Sequence, residues 1–415
     1  MKSSLLVLAA SLAVVFGLTQ YASAQYGPGA AQGSGYPGMG PGGPMGGNPM
    51  QQQMMQQQMM QQQMMMQQQM MGQGGMPVGY AQPAPQAAPS DMSSAACGGA
   101  CDDVLESCGG GCHKWFGFGE FLYLRAYNSE VAYAVPIRDA QSGPGFFDPV
   151  FQTGPVAVAD LDGQPGYRVG FGKYLNDCTT LGVTYTEFAG NTNSVSTINA
   201  PGESLRSLVS HPRAFNAASD FLDANAQMNI RFKTIDADYH TLFSQCDCYQ
   251  LGYTVGARYA QMQQAFQANY FGNSSEFVRT KSNFYGAGLK LGLDGESYAF
   301  NRNLFAYGKT FLSLLAGENK ATYLSDGPTN VGATSTAWKA GKIATVYDLE
   351  VGGGWQNSCG NFRISAGYMY SMWYNTVRTN EWINAVQHNN FTDPSGNFNG
   401  LTSFGGFVGR AEIRW

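Results

Sequence analysis

The sequence predicts an all-β chain: a transmembrane antiparallel β-barrel of about ten strands behind a disordered N-terminal tail. Three observations predict it. Segments of about ten residues recur with period-2 alternation, the length a tilted strand needs to cross a bilayer. The connections between them alternate short and long. The last segment, 403–415 (SFGGFVGRAEIRW), sets Phe407, Ala411, Ile413 and Trp415 on one parity against Arg410, Glu412 and Arg414 on the other.

Residues 1–24 read as a secretory signal peptide. Lys2 gives a positive start, Leu5 to Leu18 an apolar stretch, and Ala22-Ser23-Ala24 a small-residue cleavage site. The alternative is a membrane anchor, but the stretch is shorter than the roughly 20 residues a spanning helix needs. No cysteine follows the cleavage site, which argues against a lipoprotein, and no long apolar run remains downstream. Composition fits a barrel: 12% of residues are charged against 13% aromatic, with 54 Gly and 25 Phe. A soluble domain so poor in charge would be hard to keep in solution. The formal net charge of −5 gives no reason to expect nucleic acid.

Residues 25–96 are low in complexity and are expected to be disordered. Met50 to Met71 repeats QQQMM with one extra Met, a five-residue period that matches neither helix nor strand. The plain reading is a flexible periplasmic tether. Alternatives are soft-metal binding through the thioethers and Gln-rich self-association. A Cys-rich linker, 97–114, follows, with Cys97, Cys101, Cys108 and Cys112 spaced x3, x6, x3. Zinc usually takes CxxC, and disulfides are the default for an exported chain, so disulfides are preferred and no metal site is assigned.

The barrel is expected over 115–415, with strands near 116–126, 165–174, 180–188, 229–240, 249–260, 282–293, 303–315, 342–353, 361–372 and 403–415. In 249–260, Leu251, Tyr253, Val255, Ala257 and Tyr259 oppose Gly252, Thr254, Gly256 and Arg258. In 361–372, Phe362, Ile364, Ala366, Tyr368 and Tyr370 oppose Arg363, Ser365 and Gly367. One face is for lipid and the other for the lumen. Two segments are irregular. In 229–240 the parity slips near Lys233, setting Ile230 and Phe232 in phase with Asp236, Asp238 and His240, which a bulge would repair. In 303–315 the facing of Lys309 is ambiguous. Connections run about 38, 5, 40, 8, 21, 9, 26, 7 and 30 residues, the short-and-long alternation of a barrel with periplasmic turns and outer loops. A further hairpin at 130–137 and 155–160 would raise the count to twelve. Cys178, Cys246, Cys248 and Cys359 all fall in short turns and join the disulfide candidates. Trp355, Trp373, Trp382 and Trp415 are expected in the interfacial aromatic girdles.

Several strings together resemble the pore-forming major outer-membrane protein family first described in Legionella, with relatives in planctomycetes. They are FGFGEFLYLRAYNSEVAYAV at 116–135, GYRVGFGKYL at 166–175, TLGVTYTEF at 180–188, LGYTVGARYAQM at 251–262 and the terminal FVGRAEIRW. The resemblance covers roughly 115–415 and leaves out the tail. It implies a pore, supplies no catalytic residues, and implies that the closing strand, with Phe407, Ile413 and Trp415, is read by the barrel-assembly machinery.

A barrel enzyme is the third reading, because some ten-stranded barrels are proteases or lipases. His113 lies beside the Cys cluster, and His211 and His388 lie in loops. Asp236, Asp238 and His240 could share a face, but a hydrogen-bonded cluster explains them without catalysis. The chain carries no nucleophile motif, P-loop or dinucleotide fingerprint, so neither enzyme activity nor a cofactor is expected. The charged lumen candidates are Arg168, Arg258, Lys290, Asp348, Glu350, Arg363, Arg410, Glu412 and Arg414. Rings of such residues set pore selectivity, or in a narrow barrel pair across the interior and close it. The reading is therefore an outer-membrane, porin-like barrel passing small polar solutes or ions. The alternative is a closed-lumen structural or surface-interaction protein. Outer-membrane lipid is the expected partner, and the sequence does not define an oligomeric state.

Overall fold

The computed structural model describes residues 114–138 and 151–415, apart from 177, 199, 201, 213–220, 247, 273–274, 300–302, 327–332 and 390–397. The signal peptide, the Met/Gln tract and the cysteines of the 97–114 linker lie outside the described residues. In chain order the elements are β1 (Trp115–Tyr127), β2 (Val131–Arg138), β3 (Phe151–Gln152), β4 (Ala157–Ala159), β5 (Gln164–Asn176), β6 (Thr179–Thr197), β7 (Glu203–Ser207), β8 (Phe221–Cys246), β9 (Tyr249–Gly272), β10 (Ser275–Ala299), β11 (Leu304–Asp326), β12 (Thr334–Gln356), β13 (Phe362–Thr376), the helix α1 (Thr379–Asn389) and β14 (Gly400–Arg414).

Ten of the strands close a ring, β1-β5-β6-β8-β9-β10-β11-β12-β13-β14, in which each strand pairs with its neighbours and β1 returns to β14. Every pairing is antiparallel, and each of the ten expected segments falls on one ring strand, three of them overrunning its end by one residue. The closing seam is in register from Phe116↔Arg414 to Tyr127↔Ser403. Lys114 N and Trp115 N donate to Trp415 O at 2.8 and 2.9 Å, and Trp415 N donates back to Trp115 O at 3.0 Å. Closure leaves the wall without an edge, which the backbone requires where no water can satisfy it.

The count is ten, not twelve. The hairpin expected in the first long connection does form, as β2 paired with β4, but it stands outside the ring and joins β3 and β7. The chain leaves β1 for it through Asn128, which takes a left-handed φ of 58°. The long connections are also shorter than expected, because the strands run on. β8, β9 and β10 have 26, 24 and 25 residues. Much of what reads as loop in the sequence is wall extending past the bilayer. We call the end with the β5–β6, β8–β9, β10–β11 and β12–β13 connections the turn end, and the opposite end the loop end.

The wall has two storeys of opposite polarity. On β9 the outward residues are Leu251, Tyr253, Val255, Ala257 and Tyr259, then Gln261, Gln263, Ala265, Gln267 and Asn269 toward the loop end. Inward, the same strand passes from Thr254 and Arg258 to Ala260, Met262, Phe266 and Ala268. β10 repeats this, with outward Leu289, Leu291 and Leu293 giving way to Lys281 and Arg279, and inward Lys290 to Phe284 and Val278. The turn-end storey is apolar outside and charged inside, as lipid demands. The loop-end storey is polar outside around an apolar core, as water demands. The irregularity in 229–240 is this change of storey and not a bulge. β6 and β8 pair without a register shift from Thr179↔Thr241 to Thr197↔Asp223, and the two shifts in β8–β9 pairing lie on either side of the segment, between Phe221 and Asp223 and between Leu242 and Ser244.

Tyrosines mark the boundary: Tyr123, Tyr167, Tyr259 and Tyr368 are exposed there, the place for rings with one apolar body and one wet tip. At the turn end, Trp415 and Trp115 flank Phe171 at 6.2 and 5.2 Å. Trp355 and Trp415 are exposed as girdle residues should be, but Trp373 and Trp382 are not in a girdle. They are 1% and 5% exposed inside the loop-end storey, where α1 inserts Trp382, Ile383 and Val386 into the core.

Candidate functional site

The turn-end storey encloses a chamber of about 1240 Å³ that reaches the turn end, where Cys178, Gln250 and Cys359 line it. The alternation of each strand turns its even or odd partners inward, and all nine charged residues expected in the lumen line this chamber. They are not free. Arg258 Nε and Nη2 donate to Asp236 at 2.7 and 2.8 Å, and its Nη1 donates to Asp348 at 2.6 Å. Lys290 Nζ reaches Asp236 and Asp238 at 2.8 and 2.6 Å. Arg168 Nη1 bonds Glu120 at 2.6 Å and Glu350 at 3.1 Å, so a β5 side chain meets one from β12 across the lumen. Arg410 bonds Glu120 at 2.8 Å and Glu412, Arg414 bonds Glu412 at 2.7 Å, and Arg363 bonds Glu296 at 2.8 Å.

Such pairing follows from burial. A lone charge in this storey would lose its hydration without recompense, so cations and carboxylates are placed opposite one another. Lys309, ambiguous in the sequence, faces inward 3.7 Å from Glu350. Aromatic rings pack against the cations along the wall: Lys290 sits over Phe311 at 4.5 Å, Arg363 over Phe305 at 4.2 Å and Arg410 over Phe118 at 3.6 Å. The lumen glycines belong to the same packing. A Cβ at Gly170 or Gly172 would strike the Phe118 or Phe116 ring. These glycines make room for neighbouring aromatics and not for open passage.

Sequence reasoning missed Glu120 and Glu296. Glu120 is 4% exposed and holds two arginines, and only its parity with Phe116 and Phe118 signals that it turns inward. Asp236, Asp238 and His240 do share the inner face, but the two aspartates are held by Arg258 and Lys290, while His240 Nε2 lies 3.1 Å from Asp294. Among the described residues no group of three or more His, Cys, Asp or Glu side chains is placed to hold a metal ion.

The chamber ends at an aromatic layer. Phe232 on β8 stacks 4.7 Å from Phe404 on β14 and 5.8 Å from Trp373 on β13, and Phe188 on β6 lies 5.5 Å from Phe232. β8 and β13 stand on opposite sides of the ring, so the Phe232–Trp373 contact spans the lumen. Above it, Gln264 on β9 receives hydrogen bonds from Thr379 N and Oγ1 at 3.2 Å and donates to Thr402 on β14 at 3.4 Å. The layer is tied to the charges below: Trp373 Nε1 donates to Ser371 Oγ at 3.1 Å, and Ser371 donates to Asp348 at 2.5 Å.

A closed ring of antiparallel strands with a lipid-facing band agrees with the family comparison. The model of the Legionella pneumophila major outer membrane protein matches residues 112–405. The chain belongs to this family. It is therefore an outer-membrane β-barrel, and the charged chamber and aromatic layer are its interior. Solved structures with a similar fold include the outer membrane protease OmpT from Escherichia coli, at 11% identity over 73% of this chain and 97% of that one, with a TM-score of 0.41. A FadL homologue of Pseudomonas aeruginosa is 10% identical over 73% and 90%, TM-score 0.20. The Pseudomonas putida toluene transporter TodX is 8% identical over 75% and 92%, TM-score 0.23. Likenesses this distant carry no argument about function, and no curated protein matches this member of the family.

Proposed function

We propose that this protein is a porin-like barrel for small polar solutes or ions, held shut in the state described. The observation that supports this is the chamber itself: a volume of about 1240 Å³ lined by fixed charges of both signs, which a purely structural wall does not need. The seal weighs on the other side. Burying a Phe side chain is worth about 1.5–3 kcal/mol and an aromatic pair about 0.5–1.5 more, so parting these four rings alone costs on the order of 10 kcal/mol, and the loop-end core with α1 lies above them. An open lumen is then a rare state unless a ligand or potential favours it. Because the rings sit on wall strands and not on a removable loop, the second reading is a permanently closed structural or surface-interaction protein.

The same reading sets the turn end in the periplasm, following the short-turn rule for outer-membrane barrels. The N-terminal tail and the eight cysteines then start from that side, where disulfides can form. The inward-turned charges act as the pore lining, and Phe407, Ile413 and Trp415 on the closing strand are the segment the assembly machinery reads.

Planar-bilayer recording tests the proposal. The native protein should show infrequent openings of low conductance. Phe232→Ala with Phe404→Ala, which thins the seal from two sides, should raise the open fraction by tenfold or more, since ring truncations of this kind cost about 3–5 kcal/mol each. Silence in both proteins at every potential would leave the closed-barrel reading standing.

A further inference from the structure

The outward surface just beyond the tyrosine boundary carries a concentration of cations that neither the pore reading nor the fold requires. Arg231 and Lys233 on β8, Arg279 and Lys281 on β10, Lys320 on β11 and Lys339 on β12 occupy this loop-end sector of the wall. Register joins them into adjacent rows: Lys233 faces Gln261, Gln261 faces Tyr285, Tyr285 faces Glu318, and Lys320 faces Lys339 directly. Like charges placed opposite one another on a sheet repel, and here Glu318 bridges the two lysines.

The carboxylates on this sector fall short of the cations. Glu187 is shared by Lys233 at 3.2 Å and Arg231 at 4.0 Å, and Glu318 by Lys320 at 2.7 Å and Lys339 at 2.6 Å. Each cluster keeps a surplus positive charge, and among the described residues Arg279 is engaged only by the neutral Gln267 at 3.1 Å. The side chains of Arg231, Lys320 and Lys339 are half or more exposed. This stands against a whole-chain net charge of −5.

We propose that this sector binds the phosphate groups of the outer-leaflet lipid. The height decides the ligand. In the register Lys233 and Lys320 lie two residues beyond Tyr259 and Tyr285, and Arg231, Lys281 and Arg279 four to six, where apolar outward residues end and a bilayer's headgroups begin. Clustered lysine and arginine at a headgroup plane bind anionic lipid with an affinity that grows with each cation. The inference rests on the orientation given above, with the loop end outside.

Full-length protein reconstituted in phosphatidylcholine vesicles, with or without bis-phosphorylated lipid A in both leaflets, tests it. The readout is the temperature at which the folded-to-unfolded gel mobility shift occurs. Lipid A should raise this midpoint by several degrees and high salt should erase the gain. Neither dephosphorylated lipid A nor inorganic phosphate should reproduce it. The combined variant R231Q/K233Q/K320Q/K339Q should fold at the native midpoint in phosphatidylcholine and lose most of the lipid A gain. An equal gain from dephosphorylated lipid A, from inorganic phosphate or in the variant overturns the proposal. So does no gain in the native protein, a comparison that needs no variant to fold. Symmetric vesicles make the result independent of orientation, which labelling of a Lys339→Cys variant in intact and lysed cells reads separately.

Discussion

Within β8 two halves of one strand obey opposite rules. Toward the loop end, Asn229, Arg231 and Lys233 face out while Met228, Ile230 and Phe232 face in. Toward the turn end, Ile235, Ala237 and Tyr239 face out while Thr234, Asp236 and Asp238 face in. The pleat never changes hand, since each side keeps its parity through the whole pairing with β6. What changes is the medium on the outside, and with it what the inside must hold. Lipid outside leaves the polar residues nowhere to go but inward, where they must pair. Water outside lets them face out and frees the interior for an apolar core. A membrane boundary is thereby written into a single strand, and β9, β10 and β11 place it at a matching height.

The comparison breaks most visibly if one buried pair is opened. Arg258→Ala leaves Asp236 and Asp348 without their guanidinium in the lipid-bounded storey and should cost about 3–5 kcal/mol, or prevent assembly. Arg231→Ala, an exposed arginine a few residues away, should cost about 0–1 kcal/mol. Denaturant midpoints in detergent compare the two. Comparable losses would mean that the storeys are not electrostatically distinct. The boundary itself is probed by one lysine placed at two heights on the outer face. Leu291→Lys faces the apolar band and should cost about 2–4 kcal/mol in a bilayer, with less effect toward the interface. Gln263→Lys, above the tyrosines, should stay within about 0.5 kcal/mol. Equal costs would remove the boundary from where the tyrosines put it.

Much of this was legible in the sequence, and the exceptions have two causes. The ring, its strand count and the inward facing of residues such as Arg168, Arg258 and Glu412 follow from a period of two, which a sequence displays directly. The apparent slip at Lys233, the length of the strands past the bilayer and the burial of Trp373 and Trp382 all depend on which solvent lies outside, and alternation alone does not say where lipid stops. The seal was illegible for a second reason. Phe188, Phe232, Trp373 and Phe404 lie far apart in sequence, and only the ring order sets β8 opposite β13. Pairing partners such as Arg168 and Glu350 are hidden for the same reason. The rings that fill the space at Gly170 and Gly172 come from an adjacent strand, so they too appear only with the register.

The smallest effect concerns a carboxylate on the wrong side of the comparison. Glu276 lies in the loop-end storey, which is apolar within, and is 3% exposed. Glu350 in the charged chamber has Arg168 and Lys309 within reach, whereas Glu276, among the described residues, meets only the hydroxyls of Ser325, 2.9 Å from Oε1, and Ser210, and its Oε2 is left without a well-formed hydrogen bond. Burial therefore pushes its carboxyl above the ordinary value, with the serine hydrogen bonds opposing. A carboxyl raised in the folded state favours folding while protonated, below its unfolded value. That contribution is lost as pH rises through the folded value, and at neutral pH the group is a net burden. Glu276→Gln, neutral at every pH, should therefore stabilise the barrel at pH 7 by about 1 kcal/mol, the scale of one unsatisfied buried polar atom. The gain should shrink toward zero as the pH falls below about 4, the range of an unperturbed glutamate. Thermal midpoints of both proteins across that range give the answer. A benefit that does not vary with pH would trace the gain to packing and remove the carboxylate from the account, while a loss at neutral pH would mean that the loop-end core needs this charge as the chamber needs its own.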